Sequence, residues 1–172
     1  SERVRSLTLI SSSLFAPENP DLPGIDQKIL DYHASAVNID WSIKDVVVKY
    51  LAEGCRLLCG SAHQFDSESA YQMAEEEFDR AKNLMSMFNH ALLKGGEEYY
   101  EKIEKIEQPI LIIHGTEDTV LPYKHAIYTA DRLQNSELIT MMGRGHEIHK
   151  NDRKLYVKII TSFLKPDNKT IK

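Results

Sequence analysis

The stretch Ile112–Pro122 reads IIHGTEDTVLP, and Gly143–His149 reads GRGHEIH. In the first, an apolar run ends at His114-Gly115 and leaves Asp118 in a turn. In the second, His146 stands between a glycine and a glutamate. Working outward, Pro109 opens the run Ile110–Ile113, and a further apolar run, Leu138–Met142, follows the turn-like pair Asn135-Ser136. Lys124–Leu133 lies between them with helical spacing. Short apolar runs bounded by turn signals and joined by a helix are the pattern of parallel strands buried on both faces. The fold class this predicts is α/β.

In parallel sheets, ligands bind beyond the carboxyl ends of the strands. Asp118 follows one strand and His146 the next, so both belong at a single edge. An aspartate there can accept the Nδ1–H of the histidine, fix its tautomer and stabilise the imidazolium that forms. Either motif alone reads as an ordinary turn, because Gly, Thr and Asp favour turns. Together, in this order and with a βα unit between them, they point to the acid and base of a hydrolytic triad.

Further out, Val4–Ile10 (VRSLTLI) is a third apolar run, ending in Ser11–Ser13. The closing segment sets Leu155, Ile159 and Phe163 on one stripe, with Tyr156, Ile160 and Leu164 beside it, which predicts an amphipathic helix laid on the sheet. The tail from Pro166 is polar. Residues 14–107 differ in character. APENPDLPG holds three of the six prolines and reads as a stiff exit from the sheet. Asp40 is expected to cap a helix with the face Val46, Val47, Tyr50, Leu51, Gly54, Leu57 and Leu58. A second helix after Asp66 would carry Tyr71, Ala74, Phe78, Ala81, Met85 and Phe88 and end at Lys94-Gly95-Gly96, before a short helix in EEYYEKIEKIE. The expected division is therefore 1–13 with 108–172 as a partial sheet core, and 14–107 as an all-helical insertion.

Composition narrows the function classes. The 172 residues are 42% hydrophobic and 27% charged, and 21 basic against 26 acidic residues leave a net charge of −5. Such an acidic balance disfavours a nucleic-acid partner. No apolar run approaches the roughly 20 residues of a membrane helix, and SERVRSLTLI lacks the pattern of a signal peptide. Cys55 and Cys59, four apart, read as reduced core residues, and a cytoplasmic location is expected. The histidines of HEIH (His146 and His149) are three apart in a glycine-led loop, unlike the four-apart pair of H-E-x-x-H zinc hydrolases, so no metal or other cofactor is expected. His33, His63 and His125 receive no role, His149 is expected to face solvent, and His114 is read as structural.

The run Pro109–Leu164 resembles the last third of an α/β-hydrolase, in which a strand ends in HGxxD followed by a proline and a GxGH loop follows the final strand. ERVRSLTLISSS is similar to the strand that leads from the nucleophile-bearing helix into a helical cap. The resemblance implies an incomplete α/β-hydrolase fold of about three parallel C-terminal strands with flanking helices plus an inserted all-helical cap. It makes Asp118 the triad acid and His146 the base; Glu117 is not the matching position. NPDLPGIDQKIL, FNHAL and GRGHEI are similar to methylesterases of the aclacinomycin type, which implies a carboxylic ester of a bulky, apolar small molecule. Trp41, Tyr71, Phe78, Phe88, Asn89 and His90 are then candidate substrate-lining residues, although the aromatics also sit at the spacing of a packed core.

The nucleophile is missing from this pattern. The family's elbow is G-x-S-x-G, and neither it nor G-x-C-x-G nor G-x-D-x-G occurs in the chain. Ser61 follows Gly60 with no strand before it, and Ser11–Ser13 lack an elbow's glycines; the oxyanion loop is absent too. Two readings follow. In the favoured one, this is the C-terminal part of a serine ester hydrolase, inert without its elbow; in the other, it is a non-catalytic binding or assembly module. Lactonase, thioesterase and C–C hydrolase chemistry remain open within the first. Either way Val4–Ile10 would present an unpaired edge, which invites self-association.

Overall fold

The computed structural model describes residues 3–14, 19 and 21–165. Three strands, β1 (Leu7–Ile10), β2 (Ile110–Gly115) and β3 (Ser136–Met141), form one parallel sheet in the order β1-β2-β3. Leu7 faces Ile110 across the first pair, and Ile110 faces Ser136 across the second. The central strand explains its own composition. Every residue of β2 is buried, and its side chains alternate between two cores. Ile110 and Ile112 pack with Ala126 and Leu133 on one face, while Leu111 and Ile113 pack with Met141 and Tyr156 on the other. Each such side chain contributes about 1.5–3 kcal/mol relative to exposure. Helix α4 (Lys124–Arg132) covers the first face and α5 (Arg153–Phe163) the second.

Between β1 and β2 the described chain is helical: α1 (Gln27–Ser35), α2 (Lys44–Leu58) and α3 (Ser67–Arg80), then two 3-10 stretches at Leu84–Leu92 and Glu97–Lys105. Val47, Val48, Tyr50, Leu51 and Ala74 form a third core here. The fold class is thus α/β, three parallel strands with flanking helices.

Several expected details come out differently. Strand β1 starts at Leu7 rather than Val4, so the unpaired edge is Leu7–Ile10. Helix α1 escapes the apolar pattern because it buries only Ile29; its start is set by Asp26, whose carboxylate accepts the Lys28 N–H at 2.8 Å. Asp40 caps no helix, since its carboxylate is taken by the Ser42 N–H and hydroxyl in a local turn that precedes α2. The helix expected to run from Asp66 through Phe88 stops at Arg80, with Ala81 and Asn83 extended. Beyond that break, the Ser86 hydroxyl bonds the Asn83 carbonyl and the His90 ring bonds the Met87 carbonyl, both local contacts that favour the tighter 3-10 winding. Cys55 and Cys59 are free and half-buried rather than core. The proline-rich exit falls partly, and the tail from Pro166 wholly, outside the described residues.

Three passes of backbone meet where the helical stretch touches the sheet's carboxyl edge. A Cβ on Gly60 would lie 2.2 Å from the Gly143 carbonyl oxygen, one on Gly115 2.2 Å from that of Arg144, and one on Gly145 2.1 Å from that of Leu58. No flexible side chain can yield at these places. Gly145→Ala is therefore expected to cost more than about 2 kcal/mol of stability by denaturant unfolding. Gly24→Ala, with nothing within 4 Å of its added methyl, is expected to stay within about 1 kcal/mol of wild type.

Candidate active site

The candidate acid, Asp118, comes from the turn after β2. Asp118 is buried, and its Oδ1 accepts the N–H groups of Val120 at 2.9 Å and Leu121 at 2.8 Å. Its Oδ2 lies 2.8 Å from Nδ1 of His146. A carboxylate can only accept, so Nδ1 carries the proton and Nε2 presents its lone pair. The His146 side chain is 27% exposed while that of Asp118 is 0%, so the pair has one dry end and one open end. Burial alone would raise the Asp118 pKa. Hydrogen bonds from His114, His146 and the Leu121 N–H outweigh it and hold the carboxyl well below the usual carboxylate range.

The candidate base, His146, comes from the loop after β3. Gly143 adopts a left-handed φ of 67°, which turns the chain out of the strand. The loop is then pinned at both ends. Thr116 accepts the Gly143 N–H through its hydroxyl at 2.8 Å, and the His146 N–H donates to the Leu58 carbonyl at 2.9 Å. Leu58 ends α2, so a carbonyl that the helix leaves unpaired serves to place the histidine. The acid turn uses the same helix end, where the Thr119 hydroxyl donates to the Leu57 carbonyl at 3.2 Å.

Sequence reasoning missed several members of this neighbourhood. Glu117 takes the Ser61 N–H at 2.7 Å and the Ser61 hydroxyl at 2.6 Å, tying the helical stretch to the acid turn. Asp152, buried at the start of α5, receives two N–H bonds from Arg144 at 3.0 Å and lies 2.8 Å from Nε2 of His63. The His63 ring stacks on His149 at 4.3 Å, so His63 has a partner and His149 is half-buried rather than solvent-facing. These contacts span from 8 to 89 residues and leave no periodic signal; only the packing of the histidine loop could reveal them.

Of the proposed lining residues, Trp41, Phe78 and Phe88 pack against the helical core, with Trp41 edge-on to Tyr50 and Phe88. Tyr71, Asn89 and His90 are exposed. A cavity of about 240 Å³ opens between α2, α3 and the chain just past His146, lined among others by Cys55, Cys59, Met73, Glu147 and His149, and none of the six proposed residues lines it. The Cys59 thiol donates to the Glu147 carboxylate at 3.0 Å; burial first, then that carboxylate, push its pKa up to about 12. No helix among the described residues is long and apolar enough to cross a membrane, and no group of three or more His, Cys, Asp or Glu among them could hold a metal ion.

Residues 59–167, more than half of the chain and all of the acid and histidine loops, match the model of the prolyl oligopeptidase family. The chain belongs to the prolyl oligopeptidase family. It is 44% identical over 57 residues to human alpha/beta hydrolase domain-containing protein 17B, a match covering 33% of this chain and 18% of that protein. With the 17C protein of Xenopus tropicalis it shares 38% over 61 residues, 35% of this chain and 18% of the other. Among solved structures, it superposes on a meta-cleavage product hydrolase from Pseudomonas fluorescens with a TM-score of 0.67 at 16% identity, covering 97% of this chain and 58% of the other. An esterase from Exiguobacterium antarcticum gives 0.65 at 18% identity, covering 92% and 56%. These superpositions show the α/β-hydrolase fold. The prolyl oligopeptidase family member described here therefore spans under a fifth of its matched curated relatives and just over half of its structural neighbours.

Asp118→Asn tests the electrostatics directly. The folded carboxyl pKa lies below its unfolded value near 4, so the stability it contributes is present above about pH 4 and lost as pH falls below it. The variant is expected to be about 1–3 kcal/mol less stable at pH 7, with the gap closing on acidification below about pH 4 in denaturant titrations. Its amide can also donate to His146, so nitrogen NMR should show the Nδ1–H tautomer lost.

Proposed function

We propose that this chain supplies the acid and the base of a serine hydrolase that cleaves a carboxylic ester through an acyl-enzyme. The observation that carries the reading is the 2.8 Å contact of His146 Nδ1 with an Asp118 carboxylate whose other oxygen is held by two backbone N–H groups. In this reading the serine and the oxyanion donors lie on polypeptide outside these 172 residues, so the chain alone is nearly inert. His146 Nε2 takes the serine proton as the oxygen attacks the ester carbonyl. The protonated ring then gives that proton to the departing alcohol, and a water deprotonated by the same nitrogen releases the acid. Asp118 holds the ring in register throughout. Residues 14–107 act as the cap, and Trp41, Tyr71, Phe78, Phe88, Asn89 and His90 shape its pocket, for a bulky apolar ester of the kind aclacinomycin-type methylesterases take. The protein works in the cytoplasm, and without its neighbouring strand β1 pairs with a second copy.

An immunoblot of the source cell against the helical stretch comes first, with a band well above 19.7 kDa expected. The longer protein should hydrolyse aryl esters and take up a fluorophosphonate probe, and the 172-residue chain should do neither. His146→Ala should abolish turnover in the longer protein; loss of the triad serine or histidine in subtilisin costs on the order of 10⁶ in kcat. Preference for a peptide amide over every ester would sink the ester reading while leaving the triad. A native band at 19.7 kDa with no esterase activity would instead favour a non-catalytic binding or assembly module. For the edge, light scattering of the 172-residue chain should show dimers or larger species that Leu9→Lys reduces, since a charge on a strand edge blocks pairing.

A further inference from the structure

We infer that His114 is a positioning residue that holds the Asp118 carboxylate in the orientation His146 requires; the inference rests on the reading of Asp118 and His146 as acid and base. His114 is the fifth residue of β2, the one strand paired on both sides, and it is fully buried. Its Nε2 lies 2.7 Å from the Leu121 carbonyl oxygen and 3.3 Å from Asp118 Oδ2. Both neighbours can only accept, so Nε2 carries a proton that it shares between them. Burial works against a charge on this ring, the carboxylate and the carbonyl work for one, and the net shift is upward. Nε2 keeps its proton in either form. Nδ1 is buried with no hydrogen-bond partner among the described residues, so there the ring's anchoring polar contacts are those at Nε2.

The geometry of the carboxylate shows why a second imidazole matters. Oδ1 is fixed by N–H groups two and three residues along the same turn, contacts that move with the turn. Oδ2 faces His146, whose own loop is partly exposed. Among the described residues, no group other than His114 ties Oδ2 to the sheet. His114 reaches it from a strand that cannot shift, and its bond to Leu121 closes the turn from Gly115 to Leu121 into a ring. The carboxylate plane is then set before His146 arrives and stays set when that ring gains or loses its proton.

The test uses nitrogen-labelled 172-residue chain and NMR of the histidine rings. In the wild type, His146 should show a strongly downfield Nδ1–H signal that Asp118→Asn removes. His114→Leu and His114→Asn should lose that signal to solvent exchange, because leucine cannot donate and asparagine cannot reach. His114→Gln, whose amide nitrogen falls near the position of Nε2, should retain it. Circular dichroism identifies any variant that fails to fold; if leucine does, the asparagine–glutamine pair decides. Retention of the signal in the asparagine variant, or its loss in a folded glutamine variant, overturns the role of His114 and leaves the Asp118–His146 pair standing. Absence of the signal from the wild type, or its persistence in Asp118→Asn, overturns the pair itself.

Discussion

Gly60, Gly115 and Gly145 allow three backbones to touch where the helical stretch, the acid turn and the histidine loop converge, and the geometry of the site depends on that contact. A side chain at any of the three would separate the passes by more than a hydrogen bond can span. Because they do touch, short polar bonds form between segments far apart in sequence. Ala62 donates to Gly143 at 2.8 Å, Glu117 to Arg144 at 2.9 Å, and His146 to Leu58 at 2.9 Å. The apolar strand β2 then anchors the assembly to the two cores. Hydrophobic burial supplies the free energy, and the glycines decide how it is turned into position.

How much of this the sequence shows depends on the range of the interaction. The buried run Ile110–Ile113 and the stripe Leu155, Ile159, Phe163 belong to regular elements whose period is written in the chain, so strand and helix can be read there. The turn residues around Asp118 and the glycines preceding His146 are likewise local signals. Helix α1 is short and buries a single side chain, which is too little periodicity to register. The break after Arg80 is harder still, since Ala81 and Asn83 sit inside an apolar pattern that a helix would also satisfy. Glu117, Arg144 and Asp152 look like surface charges in sequence. Their partners, Ser61 and His63, are 56 and 89 residues away from Glu117 and Asp152, and only the folded loop makes them neighbours.

Ser11 adds a local feature at the same edge. It follows β1 with a φ of 44°, a conformation that favours glycine, while its N–H still bonds the Ile113 carbonyl at 3.1 Å. A residue that continues the ladder by one bond and then turns left leaves the sheet abruptly, beside the strand that carries His114. The strain belongs to the exit toward the helical stretch, and the sheet pairing over Leu7–Ile10 holds it.

The helical stretch and the sheet edge cannot be treated as separate bodies. The Leu57 and Leu58 carbonyls at the end of α2 are satisfied by the Thr119 hydroxyl and the His146 N–H, and the entry to α1 is tied by the Asp26 N–H to the Thr119 carbonyl at 2.9 Å. Ser61 adds two bonds to Glu117. Each such bond contributes about 1 kcal/mol net, and more where breaking it would strand a buried group. A swing of α2 away from the sheet would break all of them together and would carry the histidine with it. Motion that admits a ligand without dismantling the Asp118–His146 pair must therefore come from parts of the helical stretch with fewer ties to the site. The link between the two 3-10 segments, residues 92–96, fits that description, whereas Met87 and Phe88 pack against the helical core and Glu104 bonds Arg132. Leu92 and Leu93 there are more than 70% exposed, and Gly95 and Gly96 follow with left-handed backbones that let the chain turn. The site thus combines a well-tied exit from the helical stretch, which fixes His146, with an exposed link further along the chain.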